Sequence, residues 1–154
     1  MLNGTGLRVV LWVSGCDKDC PKCHNPITHD PNGGIKFDYN ALKEIMGKLD
    51  NDYIEGLTIS GGDPLYPSNR DVILGLVKHI KEYFPDKNIW MYTGYLYEEV
   101  SDLEILDYVD ILCDGPYIYY MDSPNKHWVG SSNQRVIDIK KSKQENKIVL
   151  LEDE

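Results

Sequence analysis

The chain has 154 residues, a size typical of one globular domain, and 42% of them are hydrophobic, enough for a sizeable core. Its 25 acidic and 16 basic side chains leave a net charge of −9, which argues against nucleic acid as a partner because phosphates are bound by basic surfaces. No apolar stretch approaches the roughly 20 residues of a membrane helix, so we also expect no membrane partner.

A short apolar run over residues 9–13 predicts a buried strand that ends in a Ser14-Gly15 turn. Cys16, Cys20 and Cys23 follow directly, with the spacing C-x3-C-x2-C. Three thiolates on one tight loop form a site for a soft metal. A structural zinc site or a closed iron–sulfur cube uses four protein ligands, so three cysteines indicate a metal position that stays open for chemistry.

The same apolar run bears on the compartment, because a signal peptide needs an apolar segment of roughly 7–15 residues. The run over residues 9–13 is shorter, so we interpret it as a core strand. Clustered cysteines in a reducing compartment are more often metal ligands or catalysts than disulfides. We therefore expect a cytoplasmic protein.

Helical and strand patterns alternate along the rest of the chain. Asp38 can cap a first helix, and Ser68 can cap a second helix that ends before Pro85. The inward positions predicted for these two helices are Leu42, Ile45, Met46 and Leu49 in the first, and Val72, Ile73, Leu76, Val77 and Ile80 in the second. A weaker third helix covers about residues 98–106, and the tail from about residue 140 stays unassigned.

Further strands are predicted over residues 56–60, 89–92 and 109–112, with a last one near 134–139. Strands that alternate with helices indicate an α/β fold with a mainly parallel sheet and right-handed crossovers. A full eightfold barrel needs about 200 residues or more, so we predict one domain over residues 1–154 that forms a partial, open (β/α) barrel.

The chemistry of such folds gathers at the carboxyl ends of the strands. The cysteine loop, the turn Gly61-Gly62-Asp63-Pro64, Thr93-Gly94 and Asp114-Gly115 each follow a predicted strand, so we expect them to face one crevice. Two glycines after a strand let the backbone approach a ligand closely, and their amide groups can meet its amino acid end.

The cysteine loop by itself leaves other sites open. A zinc site or a redox dithiol would use the same residues, and zinc would make the chain a non-catalytic interaction module. Cys20-Pro21-Lys22-Cys23-His24 also spells C-x-x-C-H, the attachment motif of c-type haem, but haem would leave Cys16 without a role. We interpret Cys113, at a strand end, as a small buried hydrophobe rather than a fourth ligand.

The cysteine loop and the Gly-Gly turn together resemble the radical S-adenosylmethionine (SAM) enzymes, and further motifs narrow the resemblance to the anaerobic ribonucleoside-triphosphate reductase activating proteins. In that family Asp63, rather than Glu, is usual after the glycines. The matching segments run in order over most of the chain: residues 3–8, 14–16, 60–65, 67–69, 89–95, 114–115 and 128–134.

The resemblance implies a radical SAM barrel and one [4Fe–4S] cluster ligated by Cys16, Cys20 and Cys23. The open iron would take the amino nitrogen and carboxylate of SAM, and reduction would give a 5′-deoxyadenosyl radical. The same resemblance implies two groups of SAM-binding residues. Backbone from Lys22 through Cys23 to His24 would touch the adenine or methionine part, and Gly61, Gly62 and Asp63 would hold the amino acid end.

The function implied by the resemblance is an activase that generates a glycyl radical on the large subunit of anaerobic (class III) ribonucleotide reductase. An electron donor such as flavodoxin or a thiol system is implied as well, and the resemblance is compatible with a homodimer. An activase of another glycyl-radical enzyme, such as pyruvate formate-lyase, is the alternative within enzymes. The activase needs no acid–base pair, because positioning and exclusion of water do most of the work.

Overall fold

A computed structural model describes residues 6–13, 39–116, 121, 129 and 133–151. Five strands and four helices make up this part of the chain. In chain order they are β1 (Arg8–Val13), α1 (Tyr39–Leu49), β2 (Gly56–Gly61), α2 (Arg70–Tyr83), β3 (Asn88–Tyr92), α3 (Tyr97–Val100), β4 (Ile111–Asp114), β5 (Arg135–Asp138) and α4 (Ile139–Glu145). Two 3-10 turns, Pro67–Asn69 and Glu104–Asp107, precede α2 and β4.

The strands form one sheet in the order β1-β2-β3-β4-β5. The pairings β1–β2, β2–β3 and β3–β4 are parallel, whereas β5 runs antiparallel to β4. The predicted α/β class and mainly parallel sheet are therefore confirmed. Strands β1 to β4 are parallel and lie side by side in the order of the chain, so every right-handed crossover moves in the same direction across the sheet. The connecting helices therefore lie on one face of the sheet.

The main core lies between that face and the helices. Its buried side chains from β2, β3 and β4 are Leu57, Ile59, Ile89, Met91 and Leu112, and those from α1 and α2 are Ile45, Leu49, Ile73, Leu76, Val77 and Ile80. A second, smaller cluster joins Trp90, Ile111, Cys113, Val129 and Val136. Side chains alternate between the two faces of a strand, so this cluster marks the opposite face, which we call the inner face.

Three predictions about the helices are corrected by the structure. The N-cap of α2 is Asn69, not Ser68, because the 3-10 turn delays the helix start, and Val72 is 51% exposed rather than inward. The predicted helix over residues 98–106 is divided into α3 and the 3-10 turn Glu104–Asp107. Leu103 separates them with extended backbone (φ −70°, ψ 135°).

The tail that stayed unassigned from the sequence covers the outer edge of β5. Asp138 caps α4 by accepting from the Lys141 amide at 3.0 Å. After α4 the chain returns, with the Asp138 amide donating to the Val149 carbonyl at 2.9 Å and the Leu151 amide donating to the Val136 carbonyl at 2.8 Å. The edge strand of the sheet is thereby paired instead of exposed.

The amino end of β4 carries a partly buried ion-pair network. Asp110 Oδ2 accepts from Lys81 Nζ at 2.8 Å and from the Ile89 amide at 2.8 Å, and Lys140 Nζ lies 3.0 Å from Oδ1. Burial alone raises the pKa of Asp110, but the hydrogen bonds from Lys81, Ile89 and Lys140 outweigh it and hold that pKa below its ordinary value. The network fastens α2, β3 and α4 together at this end of the sheet.

The longest helix of the described part is α2, with 14 residues. None of the described helices is long and apolar enough to cross a membrane.

Candidate functional site at the carboxyl edge of the sheet

The predicted site residues divide into two groups. Val13 ends β1, and the segment that carries Lys22, His24 and the three clustered cysteines, Cys16, Cys20 and Cys23, begins directly after it and lies outside the described residues. The other predicted residues lie within the described part. They lie at or just after the ends of β2, β3 and β4, on one edge of the sheet: Gly61, Gly62, Asp63, Thr93, Gly94, Asp114 and Gly115. Together with Val13, the last residue of β1, they form what we call the carboxyl rim.

Gly61 is required by the approach of β2 to β1. Its φ is +105°, a conformation that side chains rarely adopt, and a Cβ built there would lie 2.4 Å from the Val13 carbonyl oxygen. The next amide, that of Gly62, donates to the same Val13 oxygen at 2.8 Å. The glycine turn is therefore held directly against the last residue of β1.

Asp63 joins the turn after β2 to the turn after β3. Its side chain is 0% exposed. Oδ1 accepts from the Leu65 amide at 2.9 Å and from Thr93 Oγ1 at 2.7 Å, and Oδ2 accepts from the Gly94 amide at 2.9 Å. The sequence indicated both turns but not this bond between them, because Asp63 and Thr93 are 30 positions apart.

Asp114 is the last residue of β4 and is also 0% exposed. It accepts from both Nε and a terminal nitrogen of Arg135, and from the Tyr97 amide at 2.8 Å. Arg135 in turn reaches Glu98 at 2.7 Å. Its hydrogen bond with Asp114 raises the pKa of Arg135, and its hydrogen bond with Glu98 lowers the pKa of that carboxyl. Sequence reasoning missed Arg135, since a lone arginine in a strand carries no signal of its partner.

Backbone hydrogen bonds continue the rim across β3 and β4. The Thr93 amide donates to the Cys113 carbonyl at 3.0 Å, and the Gly115 amide donates to the Tyr95 carbonyl at 3.0 Å. Gln134 closes the series with a side-chain bond to the Gly115 carbonyl at 3.0 Å. Hydrogen bonds thus connect the turns after β2, β3 and β4 along one edge of the sheet. That these turns face one crevice stays a prediction.

The inner face below the rim is more polar than the helix-covered face. Arg8 Nε donates to Thr58 Oγ1 at 2.8 Å, and its guanidinium lies 5.6 Å from the centroid of the Trp90 ring. Burial lowers the pKa of Arg8 to about 10, although the nearby carboxylates raise it in part. The guanidinium therefore stays charged at neutral pH.

Cys113 lies on the same inner face, 1% exposed in the Trp90 cluster, as predicted for a small buried residue. Burial raises the pKa of Tyr92, and the adjacent Cys113 thiol, to which it is hydrogen-bonded, raises it further. Tyr92 is therefore neutral in the fold at ordinary pH.

The described residues do not contain a group of metal ligands. Among them, no three His, Cys, Asp or Glu side chains are grouped closely enough to hold a metal ion. The cysteines predicted as cluster ligands lie in the segment that follows Val13, outside the described part of the chain.

Comparison with known proteins identifies the family. The family model of the 4Fe-4S single cluster domain matches residues 2–137, which include both the cysteine segment and the carboxyl rim. A protein of Enterobacteria phage T4, named anaerobic ribonucleoside-triphosphate reductase-activating protein, is 47% identical over 135 residues, which are 88% of this chain and 86% of the phage protein. The chain belongs to this family.

Bacterial members of the family extend the comparison. The protein of the same name from Escherichia coli (strain K12) is 39% identical over 88% of this chain and 91% of its own length. The protein from Vibrio cholerae is 38% identical over 87% and 89%. The resemblance stated from the sequence motifs is thereby confirmed. No solved structure matches the chain.

Proposed function

We propose that this chain is a radical SAM activase, which reductively cleaves S-adenosylmethionine at one [4Fe–4S] cluster and generates a glycyl radical on anaerobic (class III) ribonucleotide reductase. One observation carries the proposal beyond family membership. The Gly62 amide is bonded to Val13, so the glycine turn lies beside the point where the cysteine segment leaves the sheet. This position of the glycine turn supports a site that the cysteine motif and the glycine turn would share.

The residues of the chain fit an iron–sulfur cluster. Cys16, Cys20 and Cys23 supply soft thiolates, the ligands that such clusters use, and three of them leave one iron for SAM. When bound, the reduced cluster supplies the electron that breaks a carbon–sulfur bond of SAM. The consecutive strand order supports an open barrel of the radical SAM type, with the inner face as its interior.

The glycine turn offers a specific group to the amino acid end of SAM. The Gly62 amide is used within the protein, whereas no hydrogen bond from the described residues reaches the Gly62 carbonyl oxygen. A carbonyl oxygen accepts from an amino group. The Gly62 oxygen would therefore accept from the amino group of SAM, and backbone from Lys22 to His24, Cys23 included, would contact the rest of SAM. The Asp63 carbonyl already accepts from the Tyr66 amide and from Asn69 Nδ2, so Asp63 would hold the amino acid end by shaping the turn that it shares with Gly61 and Gly62.

The buried carboxylates of the rim suit a reaction without acid–base catalysis. Asp63 and Asp114 are both turned into the protein and accept hydrogen bonds from amides, Thr93 and Arg135. Such groups fix turns in place instead of moving protons. The proposed partners are the large subunit of the reductase and an electron donor such as flavodoxin or a thiol system, and a homodimer is compatible with this reaction. The reduced state that the clustered cysteines need favours the cytoplasm.

The test is anaerobic reconstitution with iron and sulfide, followed by dithionite and SAM. We expect 5′-deoxyadenosine as a product and, after the reductase is added, a glycyl doublet in the electron paramagnetic resonance (EPR) spectrum. Alanine at Cys16, Cys20 or Cys23 should abolish both signals, and Cys113→Ala is the matched control that should keep them.

Three results would contradict the proposal. Colourless protein that contains zinc would indicate an interaction module, and a sharp haem spectrum would indicate C-x-x-C-H attachment. A doublet on pyruvate formate-lyase, with none on the reductase, would indicate an activase of another glycyl-radical enzyme.

A further inference from the structure

We infer that Asp63 is a positioning residue, whose buried carboxylate locks the glycine turn after β2 onto Thr93-Gly94 after β3 and so fixes the place where the amino acid end of SAM binds. The inference rests on the proposed function for the identity of the ligand. The lock itself is a feature of the described residues. Through this lock, Thr93 and Gly94 would support nucleotide binding indirectly, by holding Asp63.

The contacts of Asp63 require a carboxylate. Each of its two oxygens accepts from at least one backbone amide, that of Leu65 on Oδ1 and that of Gly94 on Oδ2. An asparagine has one oxygen and one amino group, so either orientation of its amide would place a donor against a backbone donor. Since the side chain is 0% exposed, water cannot relieve that conflict.

The length of the side chain is constrained as well. Thr93 Oγ1 lies 2.7 Å from Asp63 Oδ1, and Thr93 is itself only 5% exposed. A glutamate would carry the carboxylate one methylene further into this packed region, which forces the neighbours to move. Glu is the residue that most radical SAM enzymes have at this position, so in this chain we expect Asp63→Glu not to restore the function of Asp63.

The lock adjoins the end of β1, which the cysteine segment follows in the sequence. Gly62, next to Asp63, is the residue whose amide is bonded to Val13. On the other side, Asn69 Nδ2 donates to the Asp63 carbonyl at 2.9 Å and Arg70 Nε donates to the Leu65 carbonyl at 2.7 Å, which ties the turn to the start of α2. Loss of the carboxylate therefore weakens the hold on the turn from the side of β3, where its oxygens accept from Thr93 and Gly94.

The first experiment uses the full chain without cluster, by hydrogen exchange with mass spectrometry. In Asp63→Asn we expect the peptides over residues 61–66 and 92–95 to exchange at least about 10-fold faster than in the parent, because one backbone amide of the lock loses its acceptor and faces a donor instead. Thr93→Val should show a smaller change in the same peptides, and Thr93→Ser, which keeps the hydroxyl, should match the parent. Asp71→Asn, at an exposed position of α2, is the control.

The second experiment uses the cluster-loaded protein and the response of its reduced EPR signal to SAM. Asp63→Asn should keep the iron content and the SAM-free signal of the parent, while the SAM concentration that half-converts the signal rises roughly 10- to 100-fold. The KM for SAM should rise likewise, with a smaller change in kcat. A variant that is merely less folded would lose kcat in proportion to its inactive fraction and keep the parent KM.

Parent-like exchange in Asp63→Asn, or parent-like SAM affinity in it, would overturn the inference. If Asp63→Asn does not fold, the comparison of Thr93→Val with Thr93→Ser decides by the same two measurements. If the parent itself shows no response to SAM, the proposed function fails and the assignment to SAM fails with it. The exchange measurement still shows whether the lock between the two turns exists.

Discussion

Gly61→Ala tests the close approach of β2 to β1 at the carboxyl rim. The new Cβ would lie 2.4 Å from the Val13 oxygen and 2.6 Å from the Val13 nitrogen, both backbone atoms that cannot turn aside. A side chain at φ +105° costs about 1–2 kcal/mol, and forced displacement of packed backbone about 1–3 kcal/mol. We expect Gly61→Ala to lower the free energy of unfolding by roughly 2–5 kcal/mol.

Gly75→Ala is the matched control, because no atom lies within 4 Å of a Cβ added at this position of α2. Alanine is the better helix former, so this variant should gain about 0.5–1 kcal/mol. Thermal unfolding followed by circular dichroism would separate the two: for a chain of this size 1 kcal/mol corresponds to about 2–4 °C. A Gly61→Ala protein that unfolds at the parent temperature or above would refute the close approach.

Two further predictions concern the ion pairs. Arg135→Met leaves the buried Asp114 carboxylate without its cation, so we expect the free energy of unfolding, measured in urea, to fall by about 2–4 kcal/mol. Lys48→Met removes an exposed pair with Glu44 and should lower it by less than about 1 kcal/mol. Equal losses in the two variants would contradict the argument that burial makes the Arg135 pair the stronger one. The pKa of Asp110 is held below its ordinary value, so its contribution is present above about pH 4 and is lost as the pH falls through the lowered pKa. Asp110→Asn should therefore reduce the free energy of unfolding by about 1–3 kcal/mol near neutral pH and by nearly nothing in strong acid, and a constant difference across the acid range would refute this account.

Much of the fold could be predicted from local patterns. The apolar runs ending at Val13, Ser60 and Tyr92 place three strands within one residue of their observed ends, because buried parallel strands are continuous apolar segments. The direction of β5 could not be predicted, since it follows from a pairing with β4 and not from residues 135–138 themselves. The start of α2 was placed one residue early, because a 3-10 turn with Pro67 uses the same polar residues as a helix cap.

The candidate site divides in the same way. The turns after β2, β3 and β4 were visible as glycines and small polar residues, and their common edge follows from the parallel topology. The contacts among them depend on tertiary structure. Asp63 looked like a ligand-contacting residue of a motif, but its carboxylate faces Thr93, and Arg135 was recognisable only once β5 had been placed beside β4. The predicted cluster ligands lie outside the described residues and stay a prediction.

The bond between the turns after β2 and β3 has an evolutionary consequence. The Asp63 carboxylate accepts from the Thr93 hydroxyl, and both groups are buried too deeply for solvent to replace either one. A mutation at one position is thus tolerated better when a compensating change occurs at the other. Across divergent descendants of this gene, positions 63 and 93 should therefore vary together, as a correlated pair, more often than either varies with its immediate neighbours.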